Sequence, residues 1–260
     1  MALLRSLLHM LWMLLTVIPC ALVLLAAAGL RFRGPRLYRI AAFWLGLAIS
    51  GAKYILGIRY VVEGRENLLA KDQPAVLLVK HQSTYETFLM PVIMPSDLAY
   101  VFKRELLHVP FFGWAMARLD MVHIDRSQRA AAFTRVVDQG RRLLSQGVWV
   151  IMFPEGTRTQ RGVSGNYKSG GTRLAVATGA PVIPIAVTSG KVWPRKAFIK
   201  RPGTVDVSIG RPIPTVGRDP DDLLREVEGW IEAEMRRLDP EAYVAPSAPA
   251  ADEQVPAAGA

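Results

Sequence analysis

Two short segments of this sequence carry the residue types needed for acid–base chemistry beside an anion. The first, Val76-Leu77-Leu78-Val79-Lys80-His81-Gln82-Ser83-Thr84-Tyr85-Glu86, runs from an apolar strand into a histidine and then into a helix. A histidine there sits at the carboxyl end of a strand, where open α/β sheets place their ligands. Five residues along one continuous helix turn about 500°, which would leave His81 and Glu86 about 140° apart. They can meet only if His81 lies in a turn and the helix begins near Ser83. Glu86 would then hold one imidazole nitrogen and leave the other to take a proton from a hydroxyl, as a general base oriented by an acid. Taken alone, Ser83-x-x-Glu86 also reads as a capping box, and His81 as a satisfied structural histidine.

The second segment is a buried strand, Val148 to Phe153, ending in Pro154-Glu155-Gly156-Thr157-Arg158. Pro and Gly specify a tight turn. If the two strands are parallel, that turn exposes Glu155 and Arg158 on the same sheet edge as His81. Arg158 offers a bidentate fork for phosphate, although a solvated arginine in a surface turn fits the same letters. Lys168, just ahead of a helix start at Gly170, could add an anion-favouring charge.

These segments need a scaffold. Short β-rich runs alternate with amphipathic stretches past Gly57, the pattern of an α/β fold with a largely parallel central sheet flanked by helices. Strands are expected at Arg59–Val62, Ala75–Lys80, Ala99–Phe102, Met121–Ile124, Val148–Phe153, Val182–Val187 and Val205–Ile209. Helical spacing covers Thr84–Met94, Glu105–Arg118, Gln128–Ser145, Gly170–Thr178 and Pro220–Leu238, with Gly147 and Gly179 as stops.

The N-terminal region has another character. Ser6 to Leu30 holds 25 residues without a formal charge, roughly 37 Å of helix and enough to cross a hydrocarbon core. Its length and the arginines that follow at 31, 33, 36 and 39 argue against a cleaved signal peptide and for a cytoplasmic remainder. A second apolar stretch, Ala41 to Ala52, is short for a span and reads equally as an interfacial or a core helix. The expected organisation is an anchor over 1–57 (spanning helix about 6–30, interfacial helix about 38–57), an α/β domain over 58–239, and a disordered Pro/Ala-rich tail over 240–260.

With 32 basic and 22 acidic side chains the chain carries +10, which suits anionic lipid, a phosphorylated substrate or nucleic acid. Nucleic acid is disfavoured because the aromatic residues fall mostly in apolar runs. The single cysteine, Cys20, excludes an internal disulfide and any Cys-built metal site. No cofactor and no metal is expected.

Five blocks in order resemble those of the glycerolipid acyltransferase family: His81 to Glu86; Lys103-Arg104-Glu105-Leu106 with Pro110 and Gly113; Ile124-Asp125-Arg126; Phe153 to Arg158; and Val182-Ile183-Pro184-Ile185. The resemblance covers about residues 75 to 190. It implies transfer of a fatty acyl group from acyl-CoA or acyl carrier protein to the hydroxyl of a phosphate-bearing lysolipid, with lysophosphatidate the favoured acceptor. Glycerol 3-phosphate, another lysophospholipid or an acylated amino-acid lipid would fit the same class, and a catalytically silent lipid-binding protein would share the anchor. His81 would be the base and Glu86 its partner, where the family more often has Asp. Arg126, Glu155, Gly156, Thr157 and Arg158 would bind the glycerol phosphate, with Lys103 and Lys168 as further contacts. Pro184 looks like wall. No Ser or Cys sits in a nucleophile motif, so direct transfer is expected.

Overall fold

The computed structural model describes residues 1–71, 73–124 and 129–243. Two helices come first, α1 (Ala2–Gly29) and α2 (Pro35–Gly51), the latter continuing through a π turn at Ala52–Leu56. They form an antiparallel hairpin. Trp12 donates to the Leu47 carbonyl at 2.9 Å and Trp44 to Thr16 Oγ1 at 3.3 Å. Gly51 permits the approach, since a Cβ there would lie 2.4 Å from the Trp12 ring. Along α1, Leu4, Leu8, Leu11, Leu15 and Leu22 remain exposed, an apolar face that none of the described residues covers.

The second apolar stretch is longer than the sequence suggested. Pro at the first turn of α2 is compatible with helix, so the helix takes in Arg36 and Arg39 and stretches over 22 residues from Pro35 to Leu56. By length and composition both helices could cross a membrane. α2 buries Leu37, Trp44, Ala48 and Ile49, packing between α1 and the α/β domain.

That domain holds β1 (Ile58–Glu63), β2 (Val76–Val79), α3 (Tyr85–Ile93), β3 (Leu98–Lys103), α4 (Phe112–Met116), β4 (Val122–Ile124), α5 (Arg129–Ser145), β5 (Trp149–Met152), α6 (Gly170–Thr178), β6 (Val182–Val187), β7 (Gly203–Ile209) and α7 (Pro220–Leu238). The strands make one sheet in the order β1-β7-β6-β2-β5-β3-β4. β2 pairs in parallel with both β5 and β6, and β3 with β5 and β4. Among the described strands, β6 and β7 pair antiparallel. The largely parallel sheet expected from the alternating pattern is therefore present.

Alternation along β2 builds two cores. Leu77 and Val79 face a layer with Tyr85 and Leu89 of α3. Val76 and Leu78 face Leu174 of α6 and Val227 and Ile231 of α7. All four β2 side chains are fully buried, each contributing on the order of 1.5–3 kcal/mol of transfer free energy. The central strand is thus fixed on both faces, and the turn after it inherits that rigidity. Gly147 and Gly179, expected as helix stops, adopt φ of 75° and 71°, the left-handed conformation that ends a helix.

Two expectations require correction. Glu105–Arg118 is not one helix but a 3-10 turn at Arg104–His108, a bend, and the five-residue α4. Pro110 lacks the N–H that a continuous helix needs, and Phe111 turns to φ 60°. The second concerns residues 240–243, expected to belong to a disordered tail. Pro240–Tyr243 forms a 3-10 turn, and Asp239 just before it accepts two hydrogen bonds from Arg161 at 2.7 Å. Residues 244–260 lie outside the described residues.

Candidate active site

The chain leaves the sheet at Lys80, turns through His81 and Gln82, and enters α3 at Tyr85. Ser83 Oγ accepts from the Tyr85 N–H at 2.8 Å and so caps the new helix. Glu86 falls in the first turn and reaches back. Its Oε1 accepts from the N–H groups of Gln82 (2.8 Å) and Ser83 (2.7 Å) and lies 2.8 Å from His81 Nδ1. Its Oε2 accepts from the hydroxyls of Ser83 (2.9 Å) and Ser189 (2.6 Å). The capping box and the histidine relay are one arrangement.

Burial would push the Glu86 carboxyl up, but the hydrogen bond and charge of His81, with donors from Ser189 and Ser83, outweigh it and hold the group below its ordinary value. An ionised carboxylate can only accept. Nδ1 of His81 is therefore the donor in this contact, and Nε2 is the nitrogen available to a ligand. The imidazole stacks on Phe153 with ring centres 3.9 Å apart and planes 16° from parallel, which fixes its plane.

The turn after β5 clamps this histidine from the other side. Thr159 donates its N–H (2.8 Å) and its hydroxyl (3.1 Å) to the His81 carbonyl. Glu155 Oε1 accepts from the His81 N–H at 3.3 Å. Arg158 Nη1 donates to Thr84 Oγ1 at 2.8 Å. The two segments singled out by residue type are thus hydrogen-bonded to each other, as parallel pairing of β2 and β5 requires.

His81, Gly156, Thr157, Arg158 and Lys168 border a cavity of about 990 Å³. Much of the remaining lining is apolar, with Ala21 and Leu24 of α1, Ala41 and Trp44 of α2, and Phe88 and Phe112. An imidazole and three cations, Arg158, Lys168 and Arg173, thus share one cavity with an apolar lining, an arrangement matched to a ligand with a phosphate at one end and hydrocarbon at the other.

Glu155 departs from expectation. It is buried rather than exposed, does not border the cavity, and faces Lys80 at 3.3 Å. Burial pushes its carboxyl up, with the Lys80 charge and backbone N–H groups pulling the other way. Lys103 closes β3, at the same sheet edge as His81. Arg126 lies outside the described residues. Sequence reasoning missed Ser189, Thr159, Thr84 and Lys80. For Ser189 a partial signal existed, because Thr188-Ser189-Gly190 follows the expected strand Val182–Val187, which the structure pairs with β2.

Comparison with known proteins agrees with this geometry. The acyltransferase family matches residues 59–188, which takes in β1 through β6 and both site segments. A 1-acyl-sn-glycerol-3-phosphate acyltransferase of Pseudomonas aeruginosa is 44% identical over 200 residues, 76% of this chain and 77% of that protein. The human 1-acyl-sn-glycerol-3-phosphate acyltransferase alpha is 33% identical over 180 residues, 69% of this chain and 63% of that one. Among solved structures, the 1-acyl-sn-glycerophosphate (LPA) acyltransferase PlsC from Thermotoga maritima superposes with a TM-score of 0.75 at 25% identity, covering 92% of this chain and 98% of that chain.

Proposed function

The chain belongs to the acyltransferase family, and from that premise we propose that it moves a fatty acyl group from a thioester, acyl-CoA or acyl carrier protein, to the sn-2 hydroxyl of 1-acyl-glycerol-3-phosphate, yielding phosphatidic acid. The observation that carries the reading is the His81–Glu86 pair, 2.8 Å apart, with His81 lining a largely apolar cavity together with Arg158 and Lys168.

In this reading Nε2 of His81 takes the proton of the acceptor hydroxyl as its oxygen attacks the thioester carbonyl. The Glu86 carboxylate stabilises the imidazolium that forms. When the tetrahedral intermediate collapses, the carbon–sulfur bond breaks and the imidazolium returns its proton to the departing thiolate. Arg158 and Lys168 hold the phosphate, Thr157 flanks them, and the apolar hollow receives hydrocarbon. Each buried methylene adds about 0.8 kcal/mol. Ser83 is no nucleophile, because its hydroxyl is buried, donates to Glu86 and accepts from Tyr85. Transfer is accordingly direct, without an acyl-enzyme.

The exposed apolar face of α1 supports association with a membrane, and the arginines at 31, 33, 36 and 39 favour an α/β domain on the cytoplasmic side. A lysolipid then enters laterally from the bilayer.

The test is an acyl-transfer assay on membranes carrying wild type, His81→Ala or Glu86→Gln, offering acyl-CoA or acyl carrier protein as donor and lysophosphatidate, glycerol 3-phosphate or other lysolipids as acceptor. His81→Ala is expected to lose on the order of 10³-fold in kcat. Wild-type activity in that variant would sink the mechanism, and preference for another acceptor would overturn the substrate.

A further inference from the structure

Lys80 ends the central strand with a fully buried ammonium, a placement that apolar surroundings forbid unless carboxylates meet it. Its Nζ lies 2.6 Å from Glu232 Oε1 and 3.3 Å from Glu155 Oε1, and donates to the Val163 carbonyl at 3.3 Å. Tyr167 donates its hydroxyl to the same Glu232 oxygen at 2.9 Å and sets its ring 5.7 Å from the ammonium. Glu232 comes from α7, beyond the stretch that the family matches.

The cluster touches the site through one atom. Glu155 Oε1, which faces Lys80, is also the acceptor of the His81 N–H at 3.3 Å. The His81 peptide is thereby held on its N–H side by Glu155 and on its carbonyl side by Thr159. From this geometry we propose that Lys80 is a positioning residue: by holding Glu155 and Glu232 together it fixes the main chain of His81, and with it the imidazole that takes the substrate proton.

A role in stability alone accounts poorly for the cluster. Replacing a buried ion pair by well-packed apolar side chains is often neutral or stabilising, so these charges are not needed to hold β2 against α7, where Leu78, Val227 and Ile231 already pack. Geometry gives them a reason. A shift of about 1 Å in a reacting group can cost on the order of 10²-fold in rate, and the Lys80–Glu155 contact adjoins the backbone of the very residue that must not shift. A sequence signal was present too: a lysine closing a Val-Leu-Leu-Val strand needs a buried acidic partner.

The inference rests on His81 acting as the base, so His81→Ala is measured in the same series and decides that reading separately. The full chain is purified in detergent, and acyl transfer to lysophosphatidate is followed alongside the melting temperature of each preparation. In Lys80→Met, kcat per folded molecule should fall about tenfold or more while KM for both substrates stays within about twofold. Lys80→Met combined with Glu232→Gln removes one uncompensated carboxylate, so the melting temperature should recover toward wild type while kcat remains low. Recovery of kcat together with the melting temperature would overturn the proposal, as would a wild-type kcat in either variant. Should neither fold, the near-isosteric Glu155→Gln carries the test: a lower kcat at unchanged KM supports it, and a wild-type kcat refutes it.

Discussion

Arg158 donates from Nη1 to Thr84 Oγ1 at 2.8 Å, joining the turn after β5 to the residue that precedes α3. The guanidinium is half-buried and borders the cavity, and the phosphate of the proposed acceptor is the group it would bind there. Arg158→Ala should raise KM for lysophosphatidate about tenfold to a hundredfold, the worth of a charge-assisted hydrogen bond of roughly 1.5–3 kcal/mol. Because phosphate charge does not change between ground and transition state, kcat should move little. Steady-state kinetics over acceptor concentration decide it; no change in either constant would remove Arg158 from the site. Arg158→Lys should recover only part of the loss, since an ammonium cannot reproduce the fork.

Ser189 stands 103 residues from Glu86 in sequence, yet its hydroxyl reaches Oε2 at 2.6 Å. It is one of the donors that keep the carboxylate ionised against full burial. Ser189→Ala should leave Glu86 with its Ser83 donors and lower kcat by about tenfold, the cost of about 1.4 kcal/mol in relay strength. Ser189→Thr should restore most of it. A KM effect without loss of kcat would place Ser189 in binding instead.

What could be read from the letters followed locality. β2 was legible because its apolar run is buried on both faces, and the turn at His81 was forced by the 140° that a continuous helix would impose. Glu86 resisted a single assignment because a capping carboxylate and a relay carboxylate demand the same residue at the same spacing, and here both are satisfied by one oxygen. Glu155 was misplaced for the opposite reason. A Pro-Glu-Gly turn reads as solvent-facing, and only the pairing of β2 with β5 brings the buried Lys80 beside it. Ser189 and Glu232 lie at separations where periodicity carries no information. The segment Glu105–Arg118 has helical spacing of apolar residues, but Pro110 and the left-handed Phe111 override it.

The depressed carboxyl of Glu86 has a consequence for stability. Its folded-state pKa lies below the ordinary value of 4.5, so the unfolded chain takes up this proton more readily than the folded one. The stabilisation is therefore complete above about pH 4.5 and is lost as pH falls through the folded-state value. Glu86→Gln removes this linkage. Denaturant titrations should show the variant less stable than wild type near neutral pH, with the gap narrowing on acidification below about pH 4.5. A gap independent of pH would mean that the variant loses packing rather than an ionised hydrogen-bonded group.

The last prediction concerns the cavity that His81 lines. Its wall draws on α1, α2, α3 and α4 at once, with Ala21 and Ala41 among the smallest side chains lining it. If the fatty chain lies there, a bulkier residue at Ala41 shortens the space without touching His81 or Arg158. Ala41→Phe should shift donor preference toward shorter acyl chains. Each methylene forced out of the cavity forfeits about 0.8 kcal/mol, roughly a fourfold loss in kcat/KM per methylene for the long donors. Short donors that never reached Ala41 should be unaffected, which separates a steric effect on the chain from general damage to the site. The measurement is kcat/KM across a series of acyl-CoA lengths for wild type and variant. A uniform fall at every length would place the hydrocarbon elsewhere, because only a chain that passes Ala41 can sense its size.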